Sequence, residues 1–191
     1  MLAEVDVSRG RYEEAIARYE RAVRRAADPR MARRLDEIKA QFANANMPLQ
    51  FTRAIEDEAL TRADLAVLLY WKVASVRFAQ NVPPPPIATD IGETPGRDEL
   101  VRAIALGVFS VDPVTRRVNP LSPVNAGTLT RITARVLALR GAECARGIPQ
   151  SDPARILATC GITDPSLAGT DQMVSGRTAA AVMEQVDRAL R

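Results

Sequence analysis

Thr61-Arg62-Ala63-Asp64, set directly ahead of the apolar run Leu65-Ala66-Val67-Leu68-Leu69-Tyr70-Trp71, is the stretch that most constrains this chain. Thr61 can accept from a free amide of the first turn and Asp64 can reach back three positions, so Thr-x-x-Asp works as an acidic relative of the capping box. The spacing predicts a helix over residues 61–80, with Leu65, Leu68, Leu69, Val73 and Val76 on one face and Trp71 and Phe78 at its flanks. Such a stripe is core. The helix must stop before Asn81-Val82-Pro83-Pro84-Pro85-Pro86-Ile87, because each proline disfavours the helical conformation of the residue before it. This run reads as a stiff extended strap crossing the surface, with a ligand for a proline-recognition partner as the alternative.

The same grammar recurs downstream. Asp98 and Glu99 place anions at the positive end of a short helix that buries Leu100, Val101, Ile104 and Ala105 and ends at Gly107. A longer helix is expected over residues 125–140, with Leu129, Ile132, Val136 and Leu139 inward. Asp152-Pro153 caps and opens another short helix closing at Cys160-Gly161, and a last helix begins near Val174. Ahead of all this, Gly10 marks a turn between two helices. Met31, Leu35, Ile38 and Phe42 form one more helical stripe, and residues 44–58, with Asn-Ala-Asn and Met-Pro signals, read as a connector. The fold class that follows is all-α.

Composition removes several chemistries. The 191 residues hold no histidine, so the commonest general base and metal ligand is missing, and Ser-His-Asp and Cys-His catalysis with it. Two cysteines, Cys144 and Cys160, cannot close a zinc site alone and form no Cys-x-x-Cys motif. Either they pair in a disulfide or each is a small buried thiol. The acids Glu56, Asp57 and Glu58 are explained by the dipole of the helix they precede. The expectation is a protein that is not an enzyme, with no catalytic residue, no metal and no cofactor. All but two of its 26 positive charges are arginine, a bias read as the codon usage of a GC-rich genome, with a functional arginine surface as the alternative. A net charge of +3, without a basic run interleaved with aromatics, gives no reason to expect nucleic acid. No run reaches the length of a membrane span, and Glu4 and Asp6 follow Met1 at once where a secretory signal would stand.

Gly10, Tyr12, Ala15, Tyr19, Ala22 and Pro29 together resemble the second half of a tetratricopeptide repeat, with small alanines admitting a neighbouring helix and Tyr12 and Tyr19 filling the groove. That resemblance implies a protein-binding role for Tyr12 and Tyr19 within residues 1–45. Pro29 stands two residues later than the pattern expects, and a plain helical hairpin would carry the same residues. Residues 1–8 would be the tail of the repeat's first helix. A single repeat cannot bury its face alone, so upstream repeats, a partner or the rest of the chain should cover it.

The later blocks resemble the S-layer homology domain. Ala88-Thr89-Asp90-Ile91 stands where that family has Phe-Ser-Asp-Val, and the segment running through Asp112-Pro113 to Pro123-Val124 stands where it has its turn and Pro-Val-Thr-Arg. Thr61-Arg62-Ala63-Asp64 is similar to its Thr-Arg-Ala-Glu helix start. The resemblance implies a three-fold-like helical bundle over residues 58–191, in approximate copies 58–82, 87–141 and 150–191. It also implies that Arg62, with Thr61 and Asp64, binds an acidic cell-wall sugar, since a guanidinium fork matches a carboxylate. The second copy reads Asn125-Ala126-Gly127-Thr128 and the third Ser175-Gly176-Arg177-Thr178, so one motif of three is intact, and Arg177, one place along, is turned by about 100 degrees away from the groove. The family's aromatic residue near Pro95-Gly96-Arg97 is absent. An extracytoplasmic address, implied by the same resemblance, favours a Cys144–Cys160 disulfide.

The expectation is therefore a non-catalytic scaffold or accessory subunit of a bacterial envelope-associated assembly, periplasmic or extracytoplasmic, whose partners are other proteins. The alternative is an anchor that holds cell-wall polymer through Arg62.

Overall fold

The structure is a computed structural model that describes residues 2–26, 28–167 and 171–191, apart from the side chains of Asn44 and Ser166. Among these it is all-α, without a sheet. The chain divides into two compact units, Met1–Pro48 and Leu49–Arg191. No helix among the described residues is long and apolar enough to cross a membrane.

The first unit holds α1 (Leu2–Ser8), α2 (Tyr12–Arg25) and α3 (Pro29–Asn46). Gly10, at φ +70°, makes the turn between α1 and α2. Asp28 caps α3 by accepting from the Arg30 amide, and Pro29 occupies the first turn, where no amide partner is needed. Ala15, Ile16, Tyr19, Leu35 and Ile38 are buried between the helices. Glu4 ties all three together: it accepts from the Tyr19 hydroxyl on α2 and from Arg34 Nε and Nη2 on α3, both at 2.9 Å.

The second unit begins earlier than the sequence suggests. Residues 44–58 are not a connector: α3 runs on to Asn46, and Leu49–Glu56 is a helix, α4, that buries Phe51 and Ala54. Pro48 precedes that helix rather than breaking one, and Phe51, Ala54 and half-buried Ile55 lie at helical spacing. Glu56 therefore ends α4, and Asp57, just after it, accepts from the amide of Ala59.

The helices then continue as α5 (Arg62–Lys72), α6 (Ala74–Arg77), α7 (Arg97–Ala105), α8 (Ala126–Leu139), α9 (Pro153–Thr159) and α10 (Gly176–Ala189), with single 3-10 turns at Glu143–Ala145 and Pro165–Leu167. The helix expected over residues 61–80 is interrupted at Val73, which is extended. Asp187 of α10, 113 residues away, accepts from the Ala74 amide and caps the second piece. Beyond it the proline run lacks regular structure, and all four prolines are exposed. The inward face of α8 includes Leu129, Ile132 and Val136 as expected, but Leu139 is exposed, and Thr133 and Leu137 complete the face.

Three copies of one unit are visible in α4–α5, α7–α8 and α9–α10, each a short helix followed by a longer, capped one. The caps are Thr61, Asn125 and Ser175, whose side chains accept from the amides of Asp64, Thr128 and Thr178. The residues just before the caps close a ring of backbone hydrogen bonds. Val124 N donates to Leu60 O (2.8 Å), Leu60 N to Val174 O (3.0 Å), and Val174 N to Val124 O (3.1 Å). All three side chains are buried at the centre of the core. Burying each is worth about 1.5–3 kcal/mol, and the ring satisfies amides that would otherwise be orphaned there. Among the described residues, strand character is confined to isolated bridges, Thr61 with Pro123 and Asn125 with Met173. The short helices α7 and α9 end alike: Gly107 and Gly161 take positive φ, and the next amides, of Val108 and Ile162, donate back to Ala103 and Leu157.

Candidate functional site: an arginine-lined cleft

The caps fix where each helix start points, and so where Arg62 lies. Thr61 and Asp64 form the full reciprocal capping box, the Asp64 carboxylate accepting from the Thr61 amide at 3.1 Å. Both side chains are engaged in holding the helix start. Arg62, at the first helical position, is half-buried and donates to the Val118 carbonyl at 2.8 Å. The loop carrying Val118 is itself pinned by Asp90, which accepts from the amides of Val118 (3.0 Å) and Asn119 (2.8 Å) and pairs with Arg117 at 3.6 Å. Burial pushes the Asp90 carboxyl up, but those amides and Arg117 outweigh it and hold it below the usual carboxylate range.

Arg62 forms one wall of a cleft of about 430 Å³, together with Thr128, Arg131, Ile132 and Arg135 of α8, the buried Phe109, and Gln150 and Ser151 ahead of α9. Arg131 and Arg135 are one helical turn apart and so share a face. Arg131 donates to Thr128 Oγ1 at 3.0 Å, and Arg135 to Ser110 Oγ at 2.8 Å. The three guanidiniums are thus held by neutral acceptors. None of the residues lining the cleft is acidic, and among the described residues no carboxylate pairs with any of the three. The arrangement is suited to a ligand carrying negative charge.

A second cleft, of about 180 Å³, lies beside α5 and is lined by Gln50, Arg53, Asp57, Asp64, Val67 and Pro95 among others. It mixes one cation with two acids and has no comparable excess of positive charge.

The other sequence candidates fall elsewhere. Ala126 and Gly176 occupy the positions matching Arg62 in the other two copies. At Gly176 a side chain has no room, since a Cβ there would lie 1.7 Å from the Ala54 carbonyl oxygen. Arg177 is exposed and lines neither cleft. Tyr19 is buried inside the first unit, where it packs and bonds Glu4, while half-buried Tyr12 meets the Phe42 ring edge-on at 6.3 Å. Cys144 and Cys160 form a disulfide with their Cα atoms 5.0 Å apart, closing a loop that contains Gln150 and Ser151 of the cleft. Among the described residues, no three His, Cys, Asp or Glu side chains are grouped as a metal ion would require.

Arg131 and Arg135 were not singled out by sequence, although α8 contains no acidic residue that could neutralise them. In comparisons with known proteins, no family model, no curated protein and no solved structure matches this chain. The resemblances to tetratricopeptide and S-layer homology repeats rest on their motif residues alone.

Proposed function

We propose that the chain is a non-catalytic scaffold or accessory subunit of a bacterial envelope-associated assembly, binding other proteins. The observation that carries this reading is the fate of the position that Arg62 occupies. Its counterparts are Ala126 and Gly176, and the second is packed so closely on Ala54 that no side chain fits. The three-copy frame is kept while the polar position that would read a repeating polymer survives once. The Cys144–Cys160 disulfide supports an oxidising, extracytoplasmic compartment.

A second reading, an anchor acting through Arg62 on acidic wall polymer, is favoured by the place of Arg62 in a cleft with two further arginines. Co-sedimentation with purified bacterial sacculi, comparing the wild type with Arg62→Ala, separates the two. The scaffold reading expects the wild type to stay in the supernatant. Binding by the wild type that Arg62→Ala abolishes would replace it with the anchor.

A further inference from the structure

We infer that the cleft between Arg62 and α8 is a phosphate site, taking the phosphate ester of a small molecule such as a sugar phosphate. This goes beyond both readings above: it concerns phosphate rather than protein or an acidic sugar, and it stands whether or not sacculi are bound.

Arg62, Arg131 and Arg135 bring three permanent positive charges to one cleft, and no acid lines it. Like charges repel, so a structural role for this cluster would call for carboxylates among them, as the chain supplies elsewhere. Glu4 sits on Arg34, Glu184 on Lys72, and Asp187 on Arg191. In the cleft the acceptors are instead the Val118 and Val108 carbonyls, a threonine hydroxyl and a serine hydroxyl, which orient the guanidiniums without neutralising them.

Ligand chemistry follows from the number and geometry of donors. A carboxylate offers two oxygens in a plane and one negative charge, which a single guanidinium fork satisfies. A phosphate monoester offers three terminal oxygens around a tetrahedral centre and up to two charges, which suits several guanidiniums approaching from different elements. Arg62 comes from the start of α5, and Arg131 and Arg135 from one face of α8. Thr128 and the exposed Ser151 add hydroxyls. At about 430 Å³ the cleft lies in the range of small-ligand pockets, roughly 300–1,000 Å³, so there is room beside the phosphate for the group that bears it. Phe109 and Ile132 give that group an apolar wall.

Titration calorimetry on the full chain at low ionic strength tests this with inorganic phosphate, glucose 6-phosphate and galacturonate as probes. Glucose 6-phosphate is expected to bind at least about tenfold more tightly than galacturonate, and Arg131→Gln and Arg135→Gln each to weaken it by about tenfold or more. Arg53→Gln, in the acid-bearing cleft, should leave binding unchanged. Inorganic phosphate binding less tightly than glucose 6-phosphate supports an ester, whereas equal affinity for the two would overturn the ester in favour of the free ion. No binding of either phosphate, galacturonate binding as tightly, or Arg131→Gln and Arg135→Gln binding like the wild type would overturn the site itself. Arg131 is exposed, so its variant should melt with the wild type, and a retained melting transition excludes misfolding as the cause of lost binding.

Discussion

The clefts beside α5 and α8 occupy matching places in two copies of the same unit, yet the first holds about 180 Å³ and the second about 430 Å³. Counting from the caps, Val67 on α5 matches Arg131 on α8, and Trp71 matches Arg135. Beside α5 the next short helix closes tightly: Gly96, its cap, lies so near that a Cβ there would stand 2.3 Å from Val67 Cγ2. Trp71 is locked by donating to Glu99 of α7 at 3.1 Å. Beside α8 the same positions carry arginines, the next short helix is capped by Asp152, and about 430 Å³ is left. Two copies share a backbone plan and differ at these two positions, apolar beside α5 and arginine beside α8.

Exchanging those positions should be the most damaging substitution. Val67→Arg would force a charge into a fully buried place, and we expect a loss of about 3 kcal/mol or more in urea unfolding, with the second unit failing to fold as the extreme result. Removing the disulfide comes next. Cys160→Ala should lower stability by about 3 kcal/mol, the value for a closed loop of roughly 15 residues. It should also weaken the wall formed by Gln150 and Ser151, an effect without counterpart beside α5.

Acid should have a smaller effect. The Asp90 carboxyl is held below its ordinary value in the fold, so its contribution is fully present above the unfolded value of about 3.9 and fades as pH falls through the lower folded value. Asp90→Asn should flatten the loss of stability in that acid range and loosen the loop that holds Arg62. The corresponding acid sensitivity of the first unit resides in Glu4, which Arg34 and Tyr19 hold down at about 2. The smallest effect belongs to Arg131→Val. Being exposed, it should change stability by less than about 0.5 kcal/mol, against the large loss expected for Val67→Arg.

What could be read from the sequence was what lies within a turn or two of helix. The Thr61–Asp64 box, the starts at Asn125 and Ser175, and the glycine stops at Gly107 and Gly161 are local hydrogen-bond chemistry, visible in residue spacing. Features that failed to show depend on residues far apart. The break at Val73 is fixed by a carboxylate 113 positions downstream, and α4 was hidden because Pro48 resembles a stop until the burial of Phe51 and Ala54 is known. The candidate site was half legible. Arg62 stood out because a motif surrounds it, whereas Arg131 and Arg135 were lost among many arginines. Only folding shows that their helix faces Arg62 with no acid between.

What separates the two clefts is whether an anion enters: the arginine-lined one beside α8 is proposed to take it, and the mixed-charge one beside α5 is not. Amide chemical-shift mapping by NMR, with inorganic phosphate titrated into the full chain at low ionic strength, addresses it directly. Saturable shifts should gather at Arg62, Thr128, Arg131, Gln150 and Ser151 and spare Gln50, Arg53 and Asp57. Shifts at the α5 cleft instead, or none at either, would contradict it.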